Sequence, residues 1–403
     1  MDNYRPKVRT DLSFNPAESD GQKFLVVQDT IGIIEEPLLI TEFAGLLLST
    51  MDGAHTVAEI QGYFDQAIAG DVPPDFVPKH IQELESLGLL DGEEYQEKKK
   101  AIVEGYLNTE LRASSHSALA YESDPEKLHH WLDSVLQPGD DPTSQPGNLP
   151  GVVVAPHIDF RVNTEAYGKA YRTLIGSHFD RVVLMGTGHS IAEGLYCPTT
   201  KDFETPIGIT KTDRKSVDTL LSAGDGAVSP DDFPHRSEHA LEFQLIFLQH
   251  VLGNDSFELV PILCGSVAHL TREVHRLSEN HSAAKFIDAL RGIVYEKDRE
   301  TLVVAGVDFS HIGLRFSHQA PASELLEETR RHDRDLIDAF NAWDTESFWK
   351  MERETEGRFN VCGFSTLSTI LETLEPRDGR CLAYDVWDDA PTGSAVTFAA
   401  LVA

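Results

Sequence analysis

Basic side chains are scarce in this 403-residue chain: Lys and Arg total 34 against 66 Asp and Glu, a formal charge of −32. Phosphate binding needs a basic stripe, and "KKK" at 98–100 is the only such run, so nucleic acid is excluded as a partner. Cysteine is also sparse. The four (Cys197, Cys264, Cys362 and Cys381) include no CxxC pair, which disfavours a disulfide framework and a cysteine-only zinc site. Apolar runs long enough to span a bilayer, roughly 18 residues, are missing, so no membrane partner is expected. The start, "MDNYRPKVRTDLSF", lacks the basic-then-apolar pattern of a secretory signal, and the expected location is cytoplasmic.

What is there divides into two textures. Residues 24–36, "FLVVQDTIGIIEE", read as short strands around a turn, followed by three short helical patterns. Thr56 is placed to cap the second helix and Gly70 to stop it. This is a small winged-helix-type α+β module. Residues 94–122 read as a charged connecting helix, giving domains over 1–105 and 106–403. In "ESDPEKLHHWLDSVL", Asp124 and Pro125 mark the next helix start, with His129 and His130 read as surface residues. Residues 137–151 are a Pro/Gly/Asp loop.

From residue 152, valine-rich runs (152–155, 182–185, 258–263, 302–305) alternate with helical stretches (164–176, 215–222, 239–251, 270–294). Continuous apolar runs imply strands buried on both faces, hence an α/β domain with a central, mostly parallel or mixed sheet covered by helices. Three runs end on a histidine: His157 after "VVVAP", His189 after "VVLMGTG", His311 after "LVVAGVDFS". Ligand sites of open α/β sheets lie at the carboxyl ends of the strands, so neighbouring strands would bring these imidazoles into one crevice. Gly186, Gly188 and Gly306 are expected to turn the chain there.

A lone histidine at a strand end is usually a polar loop residue, but three in one domain point to a metal. Asp308 is then either a ligand or a carboxylate that orients an imidazole, and the direction of Asp159 is open. Arg315 would bind an anionic substrate or a surface carboxylate. Cys362 stands just before an apolar helix, where the dipole would acidify the thiol. His235, Glu238 and His239 spell HxxEH, a zinc-protease pattern. Pro234 and Ser237 instead start the helix after His235, which puts Glu238 and Glu242 on one helix face, one turn apart, and leaves Glu238 and His239 at the pocket edge, as acid–base groups or as partners that orient the ligands.

Two resemblances extend this reading. "PLLITEFAGLLLSTMDGAHTVAEIQGYF…HIQELESLGLLD" resembles the PqqD-like fold over residues 22–93, which implies a peptide or protein partner added to an exposed strand edge. From Arg112 onward, "RASSHSALAYESDPEKL", "VAPHIDF", "GTGHS", "HRSEHALEFQLIFLQ", "VDFSHIG" and "NVCGFSTLSTIL" resemble the Memo family, including AmmeMemoRadiSam system protein B. That family is related in fold to class III extradiol dioxygenases. The resemblance implies metal ligands at His157, His189 and Cys362, with Asp308 and His311 close by. The family's usual "PHAGY" and "GPSHH" are here "PHIDFR" and "GTGHS", so substrate preference does not carry over.

The expectation is an iron-dependent oxidoreductase, with copper or zinc as alternative ions, acting on a peptide or small aromatic substrate. His311 and His239 would move protons, Asp308 would orient an imidazole, and a radical-SAM protein would share the system. The alternative is a non-enzymatic metal-binding scaffold, and the third reading is the HxxEH protease.

Overall fold

A computed structural model describes residues 3–19, 21–34, 36–67, 72–137, 151–224 and 226–403. Gly70 and most of the 137–151 loop lie outside the described residues. The chain forms two compact units, Met1–Asn108 and Thr109–Ala403.

In the first unit, β1 (Leu12–Ser19), β2 (Gln22–Asp29) and β3 (Leu38–Thr41) form an antiparallel sheet in the order β1-β2-β3. Four helices follow: α1 (Glu42–Ser49), α2 (Val57–Ala67), α3 (Phe76–Ser86) and α4 (Glu93–Leu107). Thr56 and Glu59 form a capping box. The Glu59 amide donates to the Thr56 hydroxyl, and the Thr56 amide donates to the Glu59 carboxylate. Leu47, Ile60, Phe64, Val77 and Ile81 meet in a buried core. The acidic ends of the turn are used internally: the buried Asp29 carboxylate accepts amides of Ile31, Ile33 and Ile34 and pairs with buried Arg9 at 2.7 Å.

Residues 94–122 are not one helix. α4 ends at Leu107, and the chain turns into the short β4 (Leu111–Arg112). The buried Glu242 carboxylate draws Arg112 and Ser115 inward there.

The second unit is built on a mixed sheet. Its strands are β5 (Val152–Ala155), β6 (Arg181–Thr187), β7 (Tyr196–Pro198), β10 (Glu258–Cys264), β11 (Thr301–Gly306), β12 (His311–Gly313), β13 (Arg380–Asp389) and β14 (Ser394–Val402). The order is β12-β14-β5-β11-β6-β10-β7, with β13 paired to β14. β5, β11, β6 and β10 run parallel, and the others join antiparallel. A smaller sheet joins β4 to β8 (Asp202–Thr205) and β9 (Gly208–Thr210).

Helices α5 (Pro125–Val135), α6 (Glu165–Arg172), α7 (Arg214–Ala223), α8 (His239–Leu252), α9 (His281–Val294), α10 (Ala322–Asn341), α11 (Thr345–Thr355) and α12 (Phe364–Thr373) complete the unit. Two buried clusters, one on each face of the sheet strands, explain the uninterrupted valine runs: Val152, Val154, Val183 and Val303 belong to one, Val153, Val182, Leu184 and Val304 to the other. Asp124 caps α5 with Pro125 in its first turn, as the sequence predicts. Residues 270–280 do not extend α9. Asn280 caps it through the Ala283 amide, and turns precede it. His129 is half-buried against His250 (Nδ1 to Nδ1, 2.7 Å), while His130 is exposed.

Three of the parallel strands share a row: Ala155 on β5, Gly306 on β11 and Gly186 on β6 are in register. Gly186 and Gly306 do not turn the chain; neither has positive φ. They allow close approach. A Cβ on Gly306 would sit 2.2 Å from the Ala240 carbonyl oxygen, and one on Gly186 would sit 2.9 Å from Leu241 Cδ2. The first turn of α8 therefore rests directly on the strand ends.

Gly306→Ala is expected to destabilise the protein by roughly 1–3 kcal/mol, because the clash is with backbone rather than a flexible side-chain tip. Chemical unfolding of wild type and variant measures this, and an unchanged midpoint would contradict it.

Candidate metal centre

The residues just past that row converge. His157 follows β5 and is 3% exposed; Asp308 follows β11 and is 2% exposed. His189 follows β6, and Glu238 caps α8 with His239 as its first residue. The His157 and His189 ring centroids are 5.1 Å apart, those of His157 and His239 5.1 Å, and those of His189 and His239 5.3 Å. Cys362 arrives from outside the sheet. Its amide donates to the Phe309 carbonyl, and the Gly363 amide donates to the Asp308 carbonyl at 3.0 Å. A Cβ on Gly363 would lie 2.7 Å from that same oxygen, so glycine is what permits the pairing. The thiol sulfur then stands 3.6 Å from His157 Nε2.

The imidazoles are held in defined tautomers. His157 Nδ1 lies 3.1 Å from the Gly306 carbonyl, and His311 Nδ1 lies 3.0 Å from the Phe309 carbonyl. A carbonyl only accepts, so both Nδ1 atoms carry the proton and both Nε2 atoms keep a lone pair. His189 Nδ1 lies 3.0 Å from the Glu238 carboxylate, which fixes it the same way. Backing of one ring nitrogen by a carbonyl or carboxylate is the arrangement that orients metal-binding imidazoles.

The loops are pinned as well. The Tyr167 hydroxyl donates to the Ile158 carbonyl at 2.7 Å, and Gln244 Nε2 donates to the Pro156 carbonyl at 2.9 Å.

Two groupings compete for a cation. His189, Glu238 and His239 have ligand atoms all within 4.8 Å of one another. The two imidazoles meet Glu238 through their Nδ1 atoms, at 3.0 and 3.2 Å, and a cation there would displace the protons those contacts hold. The second grouping surrounds the unprotonated His157 Nε2, with Cys362 Sγ and Asp308 Oδ2 each 3.6 Å away. Nitrogen and thiolate donors at about 2.1 and 2.3 Å from a tetrahedral ion are separated by about 3.5 Å. The second grouping matches that spacing pairwise at His157 Nε2 and leaves both Nδ1 contacts intact, but among the described residues only the first set has all its ligand atoms within 4.8 Å of one another. A mixed imidazole, thiolate and carboxylate set suits iron, copper or zinc.

Electrostatics agree with this division. Burial, with the fields of His189 and His239, holds His157 well below the usual imidazole range, so it is neutral. Burial works against charge on His189 too, but the Glu238 carboxylate outweighs it and lifts the imidazole. Glu238 is buried yet held well below the carboxylate range by His189 and His239. Burial raises Asp308 to about 7, opposed by the His157 and Ile158 amides that its carboxyl accepts. Burial and the Asp308 charge push the Cys362 thiol up, which overturns the expected acidification by the helix dipole. Without a cation, Cys362 is a thiol.

The remaining sequence candidates separate. His311 opens β12; burial takes its imidazole down to about 4, with His189 close enough for its charge to contribute. Asp308 does not orient a ring through Nδ1, since backbone carbonyls do that for His157 and His311; it faces Nε2 instead. Arg315 pairs with Asp389 at 3.7 Å and Asp159 with Arg161, so both meet ordinary ion-pair partners. His235 lies in a 3-10 turn before α8, and its Nε2 donates to the Cys197 carbonyl at 2.7 Å. The HxxEH geometry, which needs both histidines on one helix face, does not form.

Sequence reasoning missed the support beneath the site. Glu242, on α8 one turn after Glu238, is buried against Arg112. Its carboxylate accepts the Ser115 amide at 3.0 Å, the His116 amide at 2.9 Å and the Tyr121 hydroxyl. The His116 ring then lies 5.6 Å from His239. The spacing of Glu238 and Glu242 was the signal for a shared helix face, but nothing local marked Arg112 as the partner.

Burial opposes ionisation of Glu242, but His116, Arg112, Tyr121 and the Ser115 amide outweigh it and hold the carboxyl well below its usual range. A folded-state pKa below the unfolded value of about 4.3 contributes stability above that pH, lost as pH falls. Wild type is therefore expected to lose stability between about pH 5 and 3 more steeply than Glu242→Gln. Arg112→Ala is expected to cost about 3–5 kcal/mol at neutral pH, since it strands a buried carboxylate. Urea unfolding across pH tests both; parallel profiles would contradict the first.

The family model described as "Memo-like protein" matches residues 112–402. A MEMO1 family protein of Aquifex aeolicus is 28% identical over 401 residues, covering 99% of each chain. A MEMO1 family protein of Methanopyrus kandleri is 29% identical over 297 residues, 70% of this chain and 95% of the relative. The "Protein memo-1 homolog" of Caenorhabditis elegans is 24% identical over 269 residues, 66% of this chain and 71% of the relative.

Proposed function

The chain belongs to the Memo-like family, and from that premise we propose that its larger unit is an iron-dependent oxidoreductase centre. His157, His189 and Cys362 hold the ion, with Asp308 facing the same donors. The observation that carries the reading is the unprotonated Nε2 of His157, set 3.6 Å from both a thiol and a carboxyl while its Nδ1 is anchored. Copper and zinc accept the same donor classes, so the ion's identity is a direct outcome of the test.

Iron bound there supplies redox chemistry and a point of attachment for substrate. The chain's own residues do the rest. Gly306 and Glu238 keep His157 and His189 from rotating. His311, neutral at pH 7 with Nδ1–H committed to Phe309, offers Nε2 as a proton acceptor. His239, with Nδ1 on Glu238, passes a proton through its other nitrogen. His157 and Asp308 are shielded from water, whereas the His189 and His239 side chains remain 44% and 31% exposed, on the side from which substrate would enter.

We further propose that residues 22–93 act as a PqqD-like recognition module and that the chain works with a radical-SAM protein in an AmmeMemoRadiSam-type system. One observation supports a peptide partner. Among the described residues β1 and β3 pair with no further strand on their outer sides, and Leu39 on β3 is 59% exposed. A metal-binding scaffold without turnover is the alternative.

Elemental analysis of anaerobically purified full-length protein is expected to give one equivalent of metal. His157→Ala and Cys362→Ser should each lower affinity, by at least tenfold, with proton release on binding reduced in Cys362→Ser because the buried thiol is the proton source. Unchanged affinity in both variants would remove the proposal. Oxygen uptake with candidate peptides separates the enzyme from the scaffold.

A further inference from the structure

A cavity of about 310 Å³ opens beside the candidate centre, with His189 and Cys362 in one wall. Ile191, Val267, Val361 and Phe364 give it an apolar lining. One lining residue is out of place. Glu352, on α11, is 5% exposed, and its Oε2 has no hydrogen-bond partner. Among the described residues its only neighbour at ion-pair distance is His332, whose Nε2 is 3.9 Å from that oxygen and also lacks a partner.

His332 cannot serve as a counter-ion. Its ring is stacked on Phe359, and burial takes it down to about 4, so it is neutral. Burial alone raises the Glu352 carboxyl, to about 7. A buried carboxyl without a partner destabilises a fold, and an uncharged isostere would serve packing at least as well. Packing therefore gives no reason for Glu352. A ligand does.

We infer that this cavity is the substrate pocket of the centre proposed above, and that Glu352 receives the amino group of a small primary amine with an apolar body. An ammonium group supplies the missing counter-ion and donors together, so it offsets the burial cost more fully than a hydroxyl. An anionic ligand would bring a like charge to Glu352, the only carboxyl in the cavity lining among the described residues. The inference rests on the metal-centre reading only for the word substrate; the cavity and its carboxyl exist without it.

The test uses benzylamine, benzyl alcohol and benzoate as probes of the full-length protein, metal-free and iron-loaded, followed by calorimetry. Benzylamine is expected to bind both forms, at least tenfold more weakly to Glu352→Gln, with benzyl alcohol and benzoate weaker than benzylamine in wild type. Ala268→Trp, at the cavity wall, should block benzylamine. Glu352→Gln should unfold at no lower a temperature than wild type. Absence of benzylamine binding, equal binding to Glu352→Gln, or a lowered melting temperature in that variant would overturn the inference. Benzylamine binding by protein that takes up no metal would sink the metal reading and leave this one standing.

Discussion

The buried carboxylate of Glu238 is the interaction on which the site depends. It accepts the amides of His189 and Ala240, and the Nδ1 atoms of His189 and His239 lie against it. One anion thereby caps a helix, fixes a strand-end loop and aligns two imidazoles. It can do so only because α8 starts directly on the sheet, and that approach exists because Gly186 and Gly306 carry no side chain. The chemistry at residue 238 is thus decided by two glycines on other elements.

Beneath it, Glu242 repeats the device at larger scale. Its ion pair with Arg112 and its acceptance of the Ser115 and His116 amides tie the start of the larger unit to the same helix. The two carboxylates face different partners from one helix. Both are charged and buried, and both are surrounded by enough donors to offset their desolvation.

Much of this was legible beforehand. The valine runs at 152–155, 182–185 and 302–305 pointed to strands buried on both faces, and neighbouring parallel strands deliver their next residues to one edge. His157 and His189 follow from that pattern. The arrival of Cys362 does not, because it depends on pairing between residues 309 and 362 that no local spacing encodes. The reading of 94–122 as helical holds to Leu107 and fails beyond it for the same reason: nothing local shows that Glu242 lies behind Arg112 and Ser115. The helix dipole at Cys362 was a real local signal, but burial is the larger effect there. Gly306 read as a turn residue because sequence shows a glycine's freedom, not the carbonyl that approaches it.

The central claim is that His157, His189 and Cys362 share one ion. X-ray absorption at the iron edge of the loaded full-length protein tests it most directly. One sulfur neighbour at about 2.3 Å is expected, with nitrogen or oxygen neighbours at about 2.0–2.2 Å, and the sulfur is lost in Cys362→Ser. An ion coordinated only by nitrogen and oxygen in the wild type would contradict it.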